Sequence, residues 1–330
     1  MQNFGWAFLG CGGIAHTVAR ELIKDGGKIV ACWNRSEGRA RQFAAQYGAT
    51  AYLDAREALT AKGVNGAYIA VTHNGHLPLA QLCIQLGVPV LCEKPLTVNE
   101  GGARQLFDMA KSKGVYLAEA MWTWFNDTAI KVREWVKSGK IGDITAVSAT
   151  YALPMLPFME KERHKSPALI GGALLDIGVY PIRYMYELFG MPKGITCRGK
   201  LQGGVDKRER VVMDYGAFKA NIYIARSSLA GEGLKICGTQ GKICVPCFHA
   251  ASHARLTGKN GERFCDNSLK YAVQFRRAAG EISGGRKVSA YCPPQSTIYT
   301  MRLLDECRAQ MGLIYPCERQ KDGTAAPLPC

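Results

Sequence analysis

One pattern narrows the fold more than any other: through about the first 120 residues, short β-rich apolar segments alternate with stretches of helical period. Residues 4–9 precede a helical period over 14–24, 28–33 precede 38–47, and 66–71 precede 77–86. Residues 88–92 lead to a helix over 100–113, and 115–119 close the series. Strand, helix, strand in repetition requires parallel strands with crossover helices, since the chain must travel back before each new strand begins. The pattern predicts an α/β domain with a doubly wound parallel sheet over residues 1–121.

Beyond Met121 the order changes. An amphipathic helix over 128–138 is followed by strands at 144–151, 194–202, 211–215, 220–225, 231–237 and 242–245, with helical segments at 173–188, 268–283 and 296–311. Strands joined by short turns favour antiparallel pairing. Residues 122–330 are expected to form an α+β domain with a mostly antiparallel open sheet, the last helix being a candidate to pack back on the first domain. A chain of 330 residues exceeds what one core usually serves, which agrees with two domains.

Composition excludes several classes. Hydrophobic residues make up 47% and charged residues 21%, ordinary values for a folded, water-soluble protein. No stretch approaches the roughly 20 apolar residues that span a bilayer, and the first apolar run lacks the basic start of a signal peptide, so no membrane partner is expected and the cytoplasm is the expected compartment. Many of the 13 cysteines (Cys11, Cys32, Cys83, Cys92 and Cys237 among them) sit in apolar segments, as reduced structural thiols do. The net charge of +15 raises nucleic acid as a partner. Its cations are scattered, however, and clusters such as Lys207-Arg208-Glu209-Arg210 are interrupted by acids, so nucleic-acid binding is not expected. Cys244 and Cys247, with His249 and His253 nearby, are spaced too closely for a zinc finger, and no metal is expected.

Gly10-Cys11-Gly12-Gly13-Ile14-Ala15 lies between a predicted strand and a predicted helix, the context of a dinucleotide-binding Rossmann turn. Gly10 suits the tight turn, Gly12 a close backbone approach to pyrophosphate, and Ala15 close helix packing, with Gly13 and Ile14 opening the helix toward the phosphates. After the second strand Asn34 stands where an acid would hold the ribose hydroxyls of NAD. Arg35, Ser36 and Arg39 instead offer cations and a hydroxyl for a 2′-phosphate, favouring NADP(H) over NAD(H), although Ser36 also reads as a plain helix cap. Thr72, Asn74 and His76 follow the strand ending at 71 and fall at the ligand-binding sheet edge, where His76 reads equally as a polar residue in a first helical turn. Glu93-Lys94-Pro95 ends another strand at that edge. Lys94 can hold a substrate oxygen and Glu93 balance its charge, or the two can form a surface ion pair.

Glu93-Lys94-Pro95 and the Gly10 turn together resemble the glucose-fructose oxidoreductase, inositol dehydrogenase and MocA family. Asn74 and His76 match its N-x-H element, residues 171–180 (GGALLDIGVY) its second-domain signature, and Gly238-Thr239-Gln240-Gly241 a later strand turn. Tyr180 and Glu119-Ala120-Met121-Trp122-Thr123 resemble the branch containing glucose-fructose oxidoreductase and dimeric dihydrodiol dehydrogenase. The resemblance implies hydride transfer between nicotinamide and a secondary alcohol or carbonyl of a sugar, polyol, dicarbonyl or trans-dihydrodiol. In it Tyr180 exchanges the oxygen-bound proton, Lys94 favours the phenolate, Asp176 orients the network or binds a substrate hydroxyl, and Trp122 forms an apolar or sugar-stacking wall. Asp176 and Tyr180, spaced i, i+4, are expected on one helix face. The family also implies a homodimer or homotetramer through the C-terminal sheet. A non-catalytic dinucleotide-binding regulator and a redox-neutral glycosidase with tightly held cofactor are the alternatives it contains.

Overall fold

Strand β1 (Gly5–Leu9) is buried at all five positions, as a strand covered on both faces must be. The computed structural model describes residues 4–259, 261–266, 268 and 270–318. After β1 come α1 (Gly13–Lys24), β2 (Lys28–Trp33), α2 (Glu37–Tyr47), β3 (Thr50–Tyr52), α3 (Ala55–Thr60), β4 (Val64–Ile69), α4 (His76–Gln85), β5 (Val90–Glu93), α5 (Glu100–Lys113) and β6 (Leu117–Ala120). Among the described residues these strands form a six-stranded sheet in the order β3-β2-β1-β4-β5-β6, every pair parallel. The doubly wound sheet expected from the alternation is present. Sequence patterning missed β3 and α3, which are short and partly exposed; the N-cap Asp54, accepting from the Arg56 amide at 2.7 Å and the Glu57 amide at 3.1 Å, is the signal that marks α3.

The chain divides into two compact units, the first comprising residues 1–97, 101–126 and 268–297, the second 98–100, 127–267 and 298–330. Helix α9 (Lys270–Ser283) belongs to the first unit, where its Phe275 ring lies 5.0 Å from Trp6, 5.9 Å from Phe8 and 4.9 Å from Tyr68.

In the second unit α6 (Asp127–Lys137) precedes β7 (Ile144–Ala152), the short α7 (Glu162–Lys165) and α8 (Val179–Phe189). Then follow β8 (Gly194–Gln202), β9 (Val205–Asp214), β10 (Lys219–Ala225), β11 (Glu232–Gly238), β12 (Gly241–Pro246), β13 (His253–Gly258) and β14 (Glu262–Cys265), and finally α10 (Pro294–Met311), which begins within the first unit. Among the described residues these strands make an eight-stranded sheet ordered β14-β13-β12-β11-β7-β10-β9-β8, antiparallel except at β7 and β10. Strand β9 begins six residues before the expected 211, because Asp206 and Glu209 are buried there despite their charge. Strands β13 and β14 also escaped the patterning: β13 buries only Ala254 and Leu256 between polar residues, and β14, at the sheet edge, buries none.

The helix expected over 173–188 is not uniform. Residues Leu174–Gly178 form a π-turn that runs into α8. Its entry depends on glycine: Gly172 has φ +129, and a β-carbon there would meet Asp206 Oδ1 at 2.1 Å. Asp206 uses its other oxygen to accept the Leu174 amide at 2.5 Å.

Candidate active site

In the first unit the parallel register sets the site. Leu9 pairs with both Trp33 and Ile69, Ile69 with Cys92, and Cys92 with Glu119, so the residues after β1, β2, β4 and β5 share one sheet edge. The strand order reverses at β1, the position where open α/β sheets bind ligands. Gly10 makes the turn with φ +106, and a β-carbon on it would lie 2.4 Å from the Ala70 carbonyl oxygen. A β-carbon on Gly12 or Gly13, in contrast, would meet nothing within 4 Å. Gly12 caps α1 with extended backbone, and the cap makes no side-chain hydrogen bond to the first amides of the helix. Open space before uncapped helix amides, closed off by a glycine that cannot be replaced, fits a pyrophosphate. Ile14, in the first turn of α1, is more than a third exposed.

Asn34 shapes this turn. Its Oδ1 accepts the Cys11 amide at 3.2 Å and its Nδ2 donates to the Ser36 carbonyl at 3.1 Å, tying the glycine turn to the start of α2. Arg35, Ser36 and Arg39 are exposed there, and the Ser36 side chain does not cap α2 although Ser36 is the N-cap residue.

Thr72 donates to Asn74 Oδ1 at 2.7 Å in the turn before α4. His76, the first residue of α4, is fully buried, with Nδ1 2.8 Å from the Pro95 carbonyl oxygen and Nε2 3.3 Å from that of Val71. Burial pushes its pKa down to about 4, so the ring is neutral at working pH; its single N–H donates to one of these two carbonyls while the ring packs between the loop after β5 and the end of β4. Pro95 follows a cis peptide bond. Glu93 is buried as well, accepting the Tyr68 hydroxyl at 2.6 Å and the Lys94 amide at 3.3 Å. Burial raises its pKa, a tendency that the neighbouring Lys94 and the Tyr68 bond oppose. Tyr68 was not legible as a site residue, being an ordinary strand tyrosine whose partner is 25 residues away. Glu119, a family-like position left without a role, accepts the Leu96 amide at 3.0 Å and the Thr297 hydroxyl at 2.8 Å and so fixes the loop that follows Lys94. Trp122 is buried with its ring stacked on Tyr271 of α9, centroids 4.3 Å apart.

The second unit holds the other candidates. Asp176, in the π-turn, pairs with Arg163 at 3.6 Å, and Tyr180, in the first turn of α8, is 5% exposed. The wider π-turn alters the angular register that a continuous α-helix would give these two side chains. Around Tyr180 stand two rings that spacing did not bring to notice as site residues: Tyr151 of β7 at 5.9 Å and His249 at 5.4 Å between centroids. His249, considered from sequence only beside Cys244 and Cys247, lies against Glu232 at the start of β11, its Nδ1 2.7 Å from Oε2. Among the described residues no three His, Cys, Asp or Glu side chains converge on a metal-sized site, and no helix is long and apolar enough to cross a membrane.

Against known proteins, residues 4–121 match the family model described as an oxidoreductase family with an NAD-binding Rossmann fold, and residues 129–244 match its GFO/IDH/MocA C-terminal domain. The chain is 28% identical to trans-1,2-dihydrobenzene-1,2-diol dehydrogenase from Mus musculus, covering 96% of this chain and 99% of that one. It is 29% identical to an NADP(+)-dependent scyllo-inositol 2-dehydrogenase from Bacillus subtilis, over 88% and 92% of the two chains. Among solved structures a 3-ketoreductase from Actinomadura kijaniata has the same fold, with TM-score 0.82 at 20% identity over 93% of this chain and 97% of that one. Both family models in their expected order, the parallel sheet with its glycine turn, and the second sheet that follows them establish that this chain belongs to the glucose-fructose oxidoreductase, inositol dehydrogenase and MocA family of NAD(P)-dependent oxidoreductases.

Proposed function

We propose that the protein oxidises a secondary alcohol, or reduces the corresponding carbonyl, of a sugar, polyol, dicarbonyl or trans-dihydrodiol, with NADP(H) as the redox partner. The nicotinamide, when bound, accepts or supplies the hydride; the residues here do the rest. Gly10, Gly12, Gly13 and Ile14 receive the pyrophosphate at the start of α1, and Arg35, Ser36 and Arg39 take the 2′-phosphate, since Asn34 brings no competing negative charge. Thr72, Asn74, Glu93 and Lys94 line the sheet edge on the nicotinamide side, with His76 holding that edge in shape. Two curated relatives named for NADP(+), a xylose dehydrogenase and the inositol dehydrogenase, support the cofactor choice.

In this reading Tyr180 moves the proton on the reacting oxygen, Lys94 holds its charge, Asp176 orients the substrate hydroxyl under the control of Arg163, and Trp122 supplies an apolar wall. The observation that carries the assignment is the setting of Tyr180: a nearly buried phenol in the first turn after a π-turn, with the rings of Tyr151 and His249 beside it. The relatives' names carry the substrate class, a diol, an inositol and a xylose. The enzyme is further read as cytoplasmic and as a homodimer or homotetramer through its eight-stranded sheet, which mass measurement in solution tests directly.

A panel of sugars, inositols, dicarbonyls and dihydrodiols assayed with both nucleotides should show turnover with NADPH or NADP+ for at least one class. Tyr180→Phe should then cut kcat by roughly a thousandfold or more, because general acid–base groups contribute on that order, while fluorescence titration still shows NADPH bound more tightly than NADH. Full activity in the Phe variant refutes the role of Tyr180; tighter NADH binding refutes the role of Arg35 and Arg39. Retained nucleotide with no net change in NADPH would mark the redox-neutral alternative.

A further inference from the structure

His249 is held in a way that a packing histidine does not need. Glu232 accepts both its backbone amide, at 2.7 Å, and its Nδ1, which lies 2.8 Å from Oε1 and 2.7 Å from Oε2. The carboxylate anchors the Nδ1 edge of the ring and so sets the direction in which Nε2 points. One ring face is covered by Tyr151, stacked with centroids 4.7 Å apart, and Tyr180 stands nearly edge-on to the ring at 5.4 Å. The turn that carries the ring is pinned from both sides. Cys247 sits at φ +46, a conformation non-glycine residues avoid, and Phe248 is fully buried between Tyr151 and Tyr184. The Tyr184 hydroxyl donates to the Phe248 carbonyl at 3.1 Å. Tyr184 lies one helical turn after Tyr180 on α8, so the helix that bears the proposed acid–base group also sets the position of His249. Yet the imidazole keeps 24% of its surface accessible, against 9% for the Glu232 side chain behind it. An oriented, charge-backed, partly open polar ring beside the reacting group is the arrangement expected of a ligand-reading residue rather than of core filling.

We propose that His249, oriented by Glu232, binds the hydroxyl on the carbon next to the one oxidised at Tyr180, and so selects substrates with vicinal oxygens. This rests on Tyr180 as the acid–base residue. With ring centroids 5.4 Å apart, His249 and Tyr180 are spaced to meet neighbouring substituents of one small diol or polyol. A site built to hydrogen-bond a substrate hydroxyl discriminates strongly against the analogue lacking it, because the polar group is then left unmatched.

The test compares trans-cyclohexane-1,2-diol with cyclohexanol as probes, using NADP+ and the full-length enzyme. Wild type should favour the diol in kcat/KM by at least about a hundredfold. His249→Phe should lower that ratio by at least about tenfold, chiefly through the KM of the diol, and Glu232→Gln should lower it in the same direction by less, with NADP+ binding retained in both. If cyclohexanol does not turn over, its inhibition constant against the diol takes the place of its KM. If His249→Phe does not fold by circular dichroism, His249→Gln is read in its place. A ratio unchanged in the folded variants, or equal losses on both probes, overturns the proposal. Tyr180→Phe, run in parallel, separates the two ideas: if it keeps full kcat, the acid–base reading fails whatever the ratio does.

Discussion

His76 shows how one buried side chain can serve a site without chemistry of its own. Its imidazole stands between the Pro95 and Val71 carbonyls, one of which accepts its single N–H, and its pKa of about 4 lies below the ordinary 6.5 because burial disfavours the cation. With the folded pKa below the unfolded one, the unfolded chain binds more protons between these values, so the contribution to stability is full above pH 6.5 and is lost as pH falls toward 4. The loss amounts to about 3 kcal/mol. His76→Asn should therefore lower the melting temperature near neutral pH yet flatten its decline between pH 6.5 and 4, which thermal scans across that range would reveal. His164, also pushed down to about 4 by burial, titrates in the same window and remains in both proteins, so their difference isolates His76. The residue type at position 76 and its place at the sheet edge were legible in the sequence. Its two carbonyl neighbours were not, since they arise from the tertiary meeting of two loops.

At the scale of elements, the start of α1 is the proposed seat of the cofactor's pyrophosphate. The open surroundings of Gly12 and the tight ones of Gly10 lead to opposite expectations for the same substitution. Gly12→Ala adds a methyl group that touches no protein atom, so the melting temperature should stay within about 2 °C while the NADPH dissociation constant rises at least about tenfold, the cost of misplacing one set of charge-assisted bonds. Gly10→Ala places its methyl group against the Ala70 carbonyl at positive φ and should destabilise the fold itself. Calorimetry with a fluorescence titration on each variant checks both. Alternation of apolar and helical segments made β1, β2, β4, β5, β6 and their helices readable, whereas the π-turn before α8 left no mark: nothing in Leu174–Gly178 distinguishes it from ordinary helix, and the carboxylate that accepts its first amide, Asp206, comes from β9. His249 and Glu232 were hidden in the same manner, 17 residues apart and brought together by the return of β12 on β11.

For the molecule as a whole, the first unit is not one continuous stretch of sequence. Residues 268–297 close it, and the Phe275 ring of α9 completes the aromatic cluster of Trp6, Phe8 and Tyr68 under β1 and β4. A fragment ending at residue 126 carries the glycine turn, the sheet and Lys94 but leaves that cluster uncovered, and it should show no cooperative thermal transition. The same fragment joined by a flexible linker to residues 268–297 should regain one, as differential scanning calorimetry on the pair would record. Phe275 also fixes the timetable of synthesis. Domains usually fold as they leave the ribosome, the N-terminal one first. Here the earliest strands must wait, with an apolar surface uncovered, until more than a hundred intervening residues have been translated. Over most of its own production the nascent chain therefore carries this aromatic cluster unfinished, a surface of the kind that holding chaperones cover.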